Sequence, residues 1–196
     1  MRIITGEARG VTLQTLEGEA TRPTAERVKE AVFSALQFEL DGIRFLDLFS
    51  GSGQMGLEAV SRGAGLAVLV DAAPEAIEVI KANAKKSRLF DRCRIVNYRY
   101  SDYLKGYARS GDPAFDVIYL DPPFTEHIHA EVLSRLTDSG AADAHTKILV
   151  ENEDPDSLFA GKADLAAKYA VTKVSHYGRI YVSWLTLYGT ETENAE

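Results

Sequence analysis

Four consecutive residues, Asp121-Pro-Pro-Phe124, place a carboxylate, two prolines and an aromatic ring at the end of the apolar run Val117-Ile-Tyr-Leu120. The run reads as a short buried strand, and proline cannot donate to a sheet ladder, so Asp121 falls at the strand's carboxyl end. In open α/β sheets that edge is where ligands bind. The set suits a flat base with an exocyclic amino group: Asp121 can accept one N–H and the carbonyl of Pro122 the other, which aims the nitrogen lone pair at an electrophile. Phe124 offers a face on which an unpaired or flipped base can stack. An aromatic amine is a weak nucleophile, so positioning is most of the task, and the carboxylate or water then takes the surplus proton. No metal enters that chemistry. The plain alternative, a strand-ending turn with Phe124 in the core, becomes less attractive once the upstream residues are considered.

Those residues are Asp47-Leu-Phe-Ser50-Gly51-Ser-Gly53-Gln-Met-Gly56. The G-x-G-x-x-G spacing permits a tight strand-to-helix turn and close ligand approach, a weak signal alone. Asp71 ends the next apolar run, Leu66-Ala-Val-Leu-Val70, where a carboxylate can hold a ribose hydroxyl pair. Asp47 decides between nucleotide cofactors. It lies where a dinucleotide's pyrophosphate would approach a helix N-terminus and would repel it; S-adenosylmethionine has no phosphate and carries a sulfonium and an ammonium, so an acidic rim favours it over NAD. Asp102, with the backbone near Tyr103, is positioned either for the adenine amino group or to cap a helix over Tyr103 and Leu104.

The elements that must hold these residues follow from periodicity. A helix begins at Thr24, which can cap it behind Pro23, carries Val28, Val32, Ala35, Leu36 and Leu40 on one face, and stops at Asp41-Gly42. Strands are expected at Ile43 to Phe49, Leu66 to Asp71, Arg94 to Tyr98, Val117 to Leu120 and Lys147 to Glu151, with amphipathic helices between them, which predicts a mostly parallel sheet covered on both faces. Tyr169 to His176 and Ile180 to Tyr188 alternate about Tyr177-Gly178 as an antiparallel edge hairpin, and residues 190 to 196 should fray. Residues 1 to 20, with Gly6, Gly10 and Gly18, read as a small hairpin or irregular arm.

At 196 residues, 45% hydrophobic and 26% charged, the chain can bury one full core with an appendage. No apolar run approaches the roughly 18 residues of a membrane span, and Met1 to Gly6 lacks a signal-peptide core, so a cytoplasmic protein is expected. Cys93 is the lone cysteine and reads as a small buried apolar residue. The net charge of −7 argues against nucleic-acid binding by general phosphate attraction, so any such partner must be met locally. Lys81, Lys85, Lys86, Arg88, Arg92, Arg94 and Arg99 make one basic segment, read first as a solvated face and second as a phosphate-contacting one. His127 and His129 either line the base pocket or lie on a helix surface.

Together these motifs resemble the class I S-adenosylmethionine-dependent amino-methyltransferases, in which [D/N]-P-P-[F/Y] acts on guanine N2, adenine N6 or cytosine N4. Met1-Arg-Ile-Ile-Thr-Gly6, Arg9-Gly10 and above all Arg22-Pro-Thr-Ala-Glu-Arg-Val-Lys-Glu-Ala-Val-Phe33 are similar to the bacterial 16S ribosomal RNA guanine-N2 methyltransferase family of the RsmD type, over residues 1 to about 188. The resemblance implies a Rossmann-like fold with a mostly parallel seven-stranded sheet, an antiparallel C-terminal hairpin, and an N-terminal β-hairpin and helix. It implies an extension over 1–40 and a methyltransferase domain over 41–190. It places Arg22, Thr24 and Arg27 near the methionine carboxylate or the target base, Arg2 and Arg9 on RNA, and Pro123 beside the substrate; Arg22 and Arg27 could equally pair with Glu26 and Glu30. The expected substrate is 16S rRNA in a 30S subunit or assembly intermediate, acted on by a monomer. The alternatives are an amino-methyltransferase for DNA adenine or cytosine or a protein glutamine, a non-catalytic RNA-binding module, and an NAD-dependent oxidoreductase.

Overall fold

The computed structural model describes residues 1–16, 23–123 and 128–188, and the tail at 190–196 lies outside them. Among the described residues seven strands form one sheet: β1 Arg44–Asp47, β2 Leu66–Asp71, β3 Cys93–Asn97, β4 Val117–Leu120, β5 Lys147–Asn152, β6 Tyr169–Tyr177 and β7 Ile180–Leu187. Their order is β3-β2-β1-β4-β5-β7-β6. The first five are parallel, and β7 runs antiparallel to both β5 and β6. Chain order reverses between β1 and β4, so the crevice beyond their carboxyl ends is the topological switch point. This is the expected Rossmann-like class I methyltransferase architecture, antiparallel C-terminal hairpin included.

Side-chain alternation gives the central strands β1, β2, β4 and β5 two buried faces. Phe45, Leu69, Tyr119 and Leu149 face α1 (Pro23–Ala35), α2 (Gln54–Ser61) and α3 (Pro74–Lys86), whose Val28, Val32, Phe33, Leu57, Val60, Ile77 and Ile80 share that core. Leu46, Val68, Ile118, Leu120, Ile148 and Val150 face α4 (Tyr100–Tyr107), α5 (His129–Ser139) and the short α6 (Ala163–Ala166). None of these helices is long and apolar enough to cross a membrane.

Two local expectations are corrected. Thr24 is the second residue of α1 and so is not its cap. The helix stops at Ala35, because the chain turns there toward β1, with Glu39 N–H donating to the Leu36 carbonyl and Gly42 N–H to that of Gly63. Leu36 and Leu40 are buried without being in the helix, which is why their spacing extended the apparent period. The N-terminal arm closes as a short hairpin, with Arg2 opposite Thr12 and the Ile3, Gly10 and Leu13 N–H groups donating to the Val11, Ile3 and Met1 carbonyls at 2.9–3.0 Å. Side chains of α2 and α3 take other backbone groups of the arm. Glu58, fully buried, accepts from Ile4 N at 2.7 Å and Thr5 N at 3.0 Å, Ser61 Oγ accepts from Ala8 N at 3.0 Å, and Asn83 Oδ1 accepts from Gln14 N at 2.8 Å. Gly6 sits so close to α2 that a Cβ there would lie 1.7 Å from the Ser61 carbonyl oxygen. The Lys29 ammonium, also buried, donates to the Arg2 carbonyl at 2.7 Å, and burial lowers its pKa.

Candidate active site

A cavity of about 560 Å³ opens at the carboxyl ends of β1, β2 and β4. Asp47, the last residue of β1, is 2% exposed. Its Oδ2 accepts the Gly56 N–H at 3.1 Å, within the first turn of α2, where the helix N-terminus favours negative charge. Burial outweighs that contact. The carboxyl is pushed up to about 7, helped by the nearby Asp71 and Glu151 carboxylates.

The glycine loop is built for close approach. Ser50 Oγ donates to the Asp47 carbonyl at 2.7 Å and Gly53 N to that of Ser50 at 2.7 Å, a turn that holds Gly51 at φ 50° and Gly53 at φ 79°. A Cβ on Gly53 would meet Leu69 and Ile80 at 3.1–3.2 Å, and one on Gly56 would meet Leu69 at 2.8 Å. Asp71, ending β2, is held by the Gly51 N–H at 2.8 Å and the Ala73 N–H at 2.9 Å, fixing it at the cavity wall. Asp121 and Pro123 are exposed and Pro122 buried, and all three line the cavity opposite the loop.

The structure thus brings Asp47, Ser50, Gly51, Asp71, Asp121, Pro122 and Pro123 to one cavity. It keeps others off its wall. Strand β3 ends at Asn97 and α4 starts at Tyr100, so Asp102 is the third helical residue and turns to solvent, while Tyr103 packs on Tyr107 in the core. The lining there is Tyr98, Arg99 and Tyr100, which corrects the expected placement of Asp102 and Tyr103. Arg2, Arg9 and Arg27 are exposed and do not line the cavity. Arg22, Phe124 and His127 lie outside the described residues, as does the Thr24 side chain. His129 begins α5, its Nε2–H donating to the Glu151 carbonyl at 3.0 Å. The basic segment is dispersed: Lys81 pairs with Glu78, Lys86 donates to the Thr12 carbonyl, Arg92 pairs with Glu7, and only Arg99 of the seven lines the cavity. Cys93 is partly buried, its thiol pushed up to about 12 by that burial.

Sequence reasoning missed Tyr119, Gln54 and Glu151. Tyr119 lines the cavity and its hydroxyl donates to Glu151 Oε1. Burial pushes the Glu151 carboxyl up, and the Tyr119 contact opposes it. Gln54 lines the cavity with a buried Oε1 that has no hydrogen-bond partner among the described residues. A usable signal did exist for Glu151: one residue before the end of β5, it follows that strand's apolar run much as Asp47 and Asp71 follow theirs. The acidic walls, the unpartnered Gln54 oxygen and the Cβ-free loop fit a cationic, phosphate-free nucleotide such as S-adenosylmethionine.

Comparison with known proteins agrees with that geometry. The family model described as "Conserved hypothetical protein 95" matches residues 1–183. Ribosomal RNA small subunit methyltransferase D of Haemophilus influenzae is 31% identical over 182 residues, covering 92% of this chain and 93% of that protein. Its Escherichia coli counterpart of the same name is 32% identical over 158 residues, 81% of this chain and 77% of that protein. Among solved structures, hypothetical protein TTHA0928 of Thermus thermophilus superposes with a TM-score of 0.77 at 29% identity, covering 95% of this chain and 99% of that one.

Proposed function

Because the chain belongs to the Conserved hypothetical protein 95 family, we propose that it is an S-adenosylmethionine-dependent methyltransferase of ribosomal RNA, and more finely that it methylates the N2 amino group of a guanine in 16S rRNA. The relatives' names support rRNA methylation. The finer reading rests on one observation: Asp47 and Asp71 border the glycine loop in the same cavity whose opposite wall is Asp121-Pro122-Pro123.

When bound, S-adenosylmethionine supplies an electrophilic methyl group on a sulfonium. The residues fit it by charge: Asp71 would hold the ribose hydroxyls, Asp47 and Gln54 would meet the cationic methionine end, and the loop backbone would lie against it. On the acceptor side Asp121 takes one N–H and the Pro122 carbonyl the other, so the nitrogen's lone pair points into the cavity. The acceptor nitrogen would gain positive charge on taking the methyl group, the S–C electrons staying with sulfur; Asp121 would stabilise that charge, and it or water would take the surplus proton. Phe124 is assigned the stacking face. In this reading residues 1–40 form the extension that meets RNA through Arg2, Arg9, Arg22 and Arg27, residues 41–190 form the methyltransferase domain, and a cytoplasmic monomer acts on the 30S subunit or an assembly intermediate.

The test is calorimetry with S-adenosylhomocysteine followed by tritium transfer from labelled donor to 30S particles of a strain lacking the native enzyme. Asp121→Ala should abolish transfer while leaving cofactor affinity within about threefold, since uniform binding is untouched. An active variant would sink the assigned role. Mass spectrometry of labelled RNA, DNA and protein separates this substrate from DNA bases or a protein glutamine.

A further inference from the structure

We infer that Glu151 reads the N1–H of the target guanine and so selects the base, with Tyr119 as its positioning residue; this rests on the guanine-N2 reading above. Strands β4 and β5 are parallel, with Leu120 opposite Val150, so Asp121, just past β4, stands beside Glu151 in the last residues of β5, at a strand spacing of roughly 4.8 Å. Alternation puts Tyr119, Asp121 and Glu151 on the same side of the sheet. Tyr119 and Asp121 line the cavity together, and the Tyr119 hydroxyl ties Glu151 Oε1, which stands off the lining itself, to that wall. Glu151 is also near enough to the buried Asp47 to raise that carboxyl's pKa.

The chemistry of the bases makes the pair discriminating. In guanine the ring nitrogen beside the amino-bearing carbon carries a hydrogen, N1–H; in adenine and cytosine the corresponding N1 and N3 are bare acceptors. A site with one carboxylate on the amino group and a second carboxylate beside it therefore satisfies guanine with adjacent donors. Adenine or cytosine would set a ring lone pair against a carboxylate, leaving both unpaired in a desolvated pocket. An ionised carboxylate is acceptor only. Tyr119 serves that state by donating to Oε1, which stabilises the anion against its burial, and Oε2 is assigned to the base.

The experiment uses the full chain and 30S particles assembled from rRNA in which the guanine found to be methylated is replaced by 2-aminopurine. That base keeps the amino group but lacks N1–H and O6. Wild-type protein should methylate guanine faster by roughly 10- to 100-fold, the range for a hydrogen bond to a charged group. Glu151→Gln should lower the guanine rate and bring the guanine to 2-aminopurine ratio toward one, with S-adenosylhomocysteine affinity unchanged by calorimetry; Tyr119→Phe should lower the ratio partway. A contact to O6 instead would leave the ratio intact in Glu151→Gln and overturn the inference. So would wild-type protein that treats both bases alike, a result needing no variant and leaving the guanine reading standing. Transfer to no guanine at all would overturn both.

Discussion

Asp47 sits in an environment far from what its type suggests, and the departure has a direction. Burial raises its carboxyl to about 7 in the folded protein, above the ordinary unfolded value of roughly 4. The folded state thus holds a proton that the unfolded chain has released, so this group's contribution to stability is complete below that ordinary value and is lost as pH rises toward about 7. Thermal melts of cofactor-free protein should show a midpoint falling across that window, and Asp47→Asn should flatten that part of the profile. A cationic ligand favours the ionised form, so S-adenosylmethionine, with its sulfonium and ammonium, should bind more tightly as pH rises through about 7, with proton release that calorimetry in buffers of different ionisation enthalpy would detect. If Asp47→Asn shows the same pH dependence as wild type, Asp47 is not the group responsible. At this scale the sequence was most legible where a carboxylate ends an apolar run, as with Asp47, Asp71 and Asp121. It was least legible at Gln54 and Tyr119, whose relevance comes from the direction their side chains take once packed.

Among the elements, the N-terminal arm shows how a segment with little regular structure is held. Glu58 is a mid-helix residue that sequence would place on a surface; instead it is fully buried, accepting from Ile4 N, Thr5 N and, at 2.7 Å, Arg62 Nε. Removing it strands all three donors. Glu58→Ala should cost about 3–5 kcal/mol by urea denaturation, as for one partner lost from a buried ionic network, and should bring fast hydrogen exchange to residues 3–8. Ser61→Ala, which deletes bonds to Ala8 N and Thr5 O, should cost only about 1–2 kcal/mol. Equal losses for the two variants would mean that the carboxylate does not anchor the arm. The arm matters to function because it ends at the site: Asn83 Nδ2 donates to both the Gln14 and Ser52 carbonyls, and Leu16 lines the cavity.

For the whole molecule, a net charge of −7 and a substrate made of phosphates pull in opposite directions. The balance is spatial: the acidic strand ends point into one cavity, while Arg2 and Arg9 are exposed on the arm. If these contact RNA, Arg9→Glu should lower kcat/KM for 30S particles by about tenfold and make the salt dependence of that constant shallower, as fewer phosphate contacts would be made. Affinity for S-adenosylhomocysteine should not change. Unaltered kinetics on the particle would remove Arg9 from the interface.

The order of the strands' apolar runs, the loop glycines and the carboxylates at the strand ends were set by local chemistry, because side-chain period, proline's missing N–H and glycine's freedom at positive φ act over a few residues. That was enough to expect a parallel sheet with a donor pocket at its carboxyl edge. Only the tertiary structure decided which acidic residues share the pocket, since that depends on strand order: β1 lies between β2 and β4, which brings Asp47, Asp71 and Asp121 to one cavity, and β5 beside β4 sets Glu151 next to Asp121. It also decided that Asp102 faces solvent and that Glu58 is buried, because the start of a helix and the docking of an arm are settled by long-range packing and hydrogen bonding.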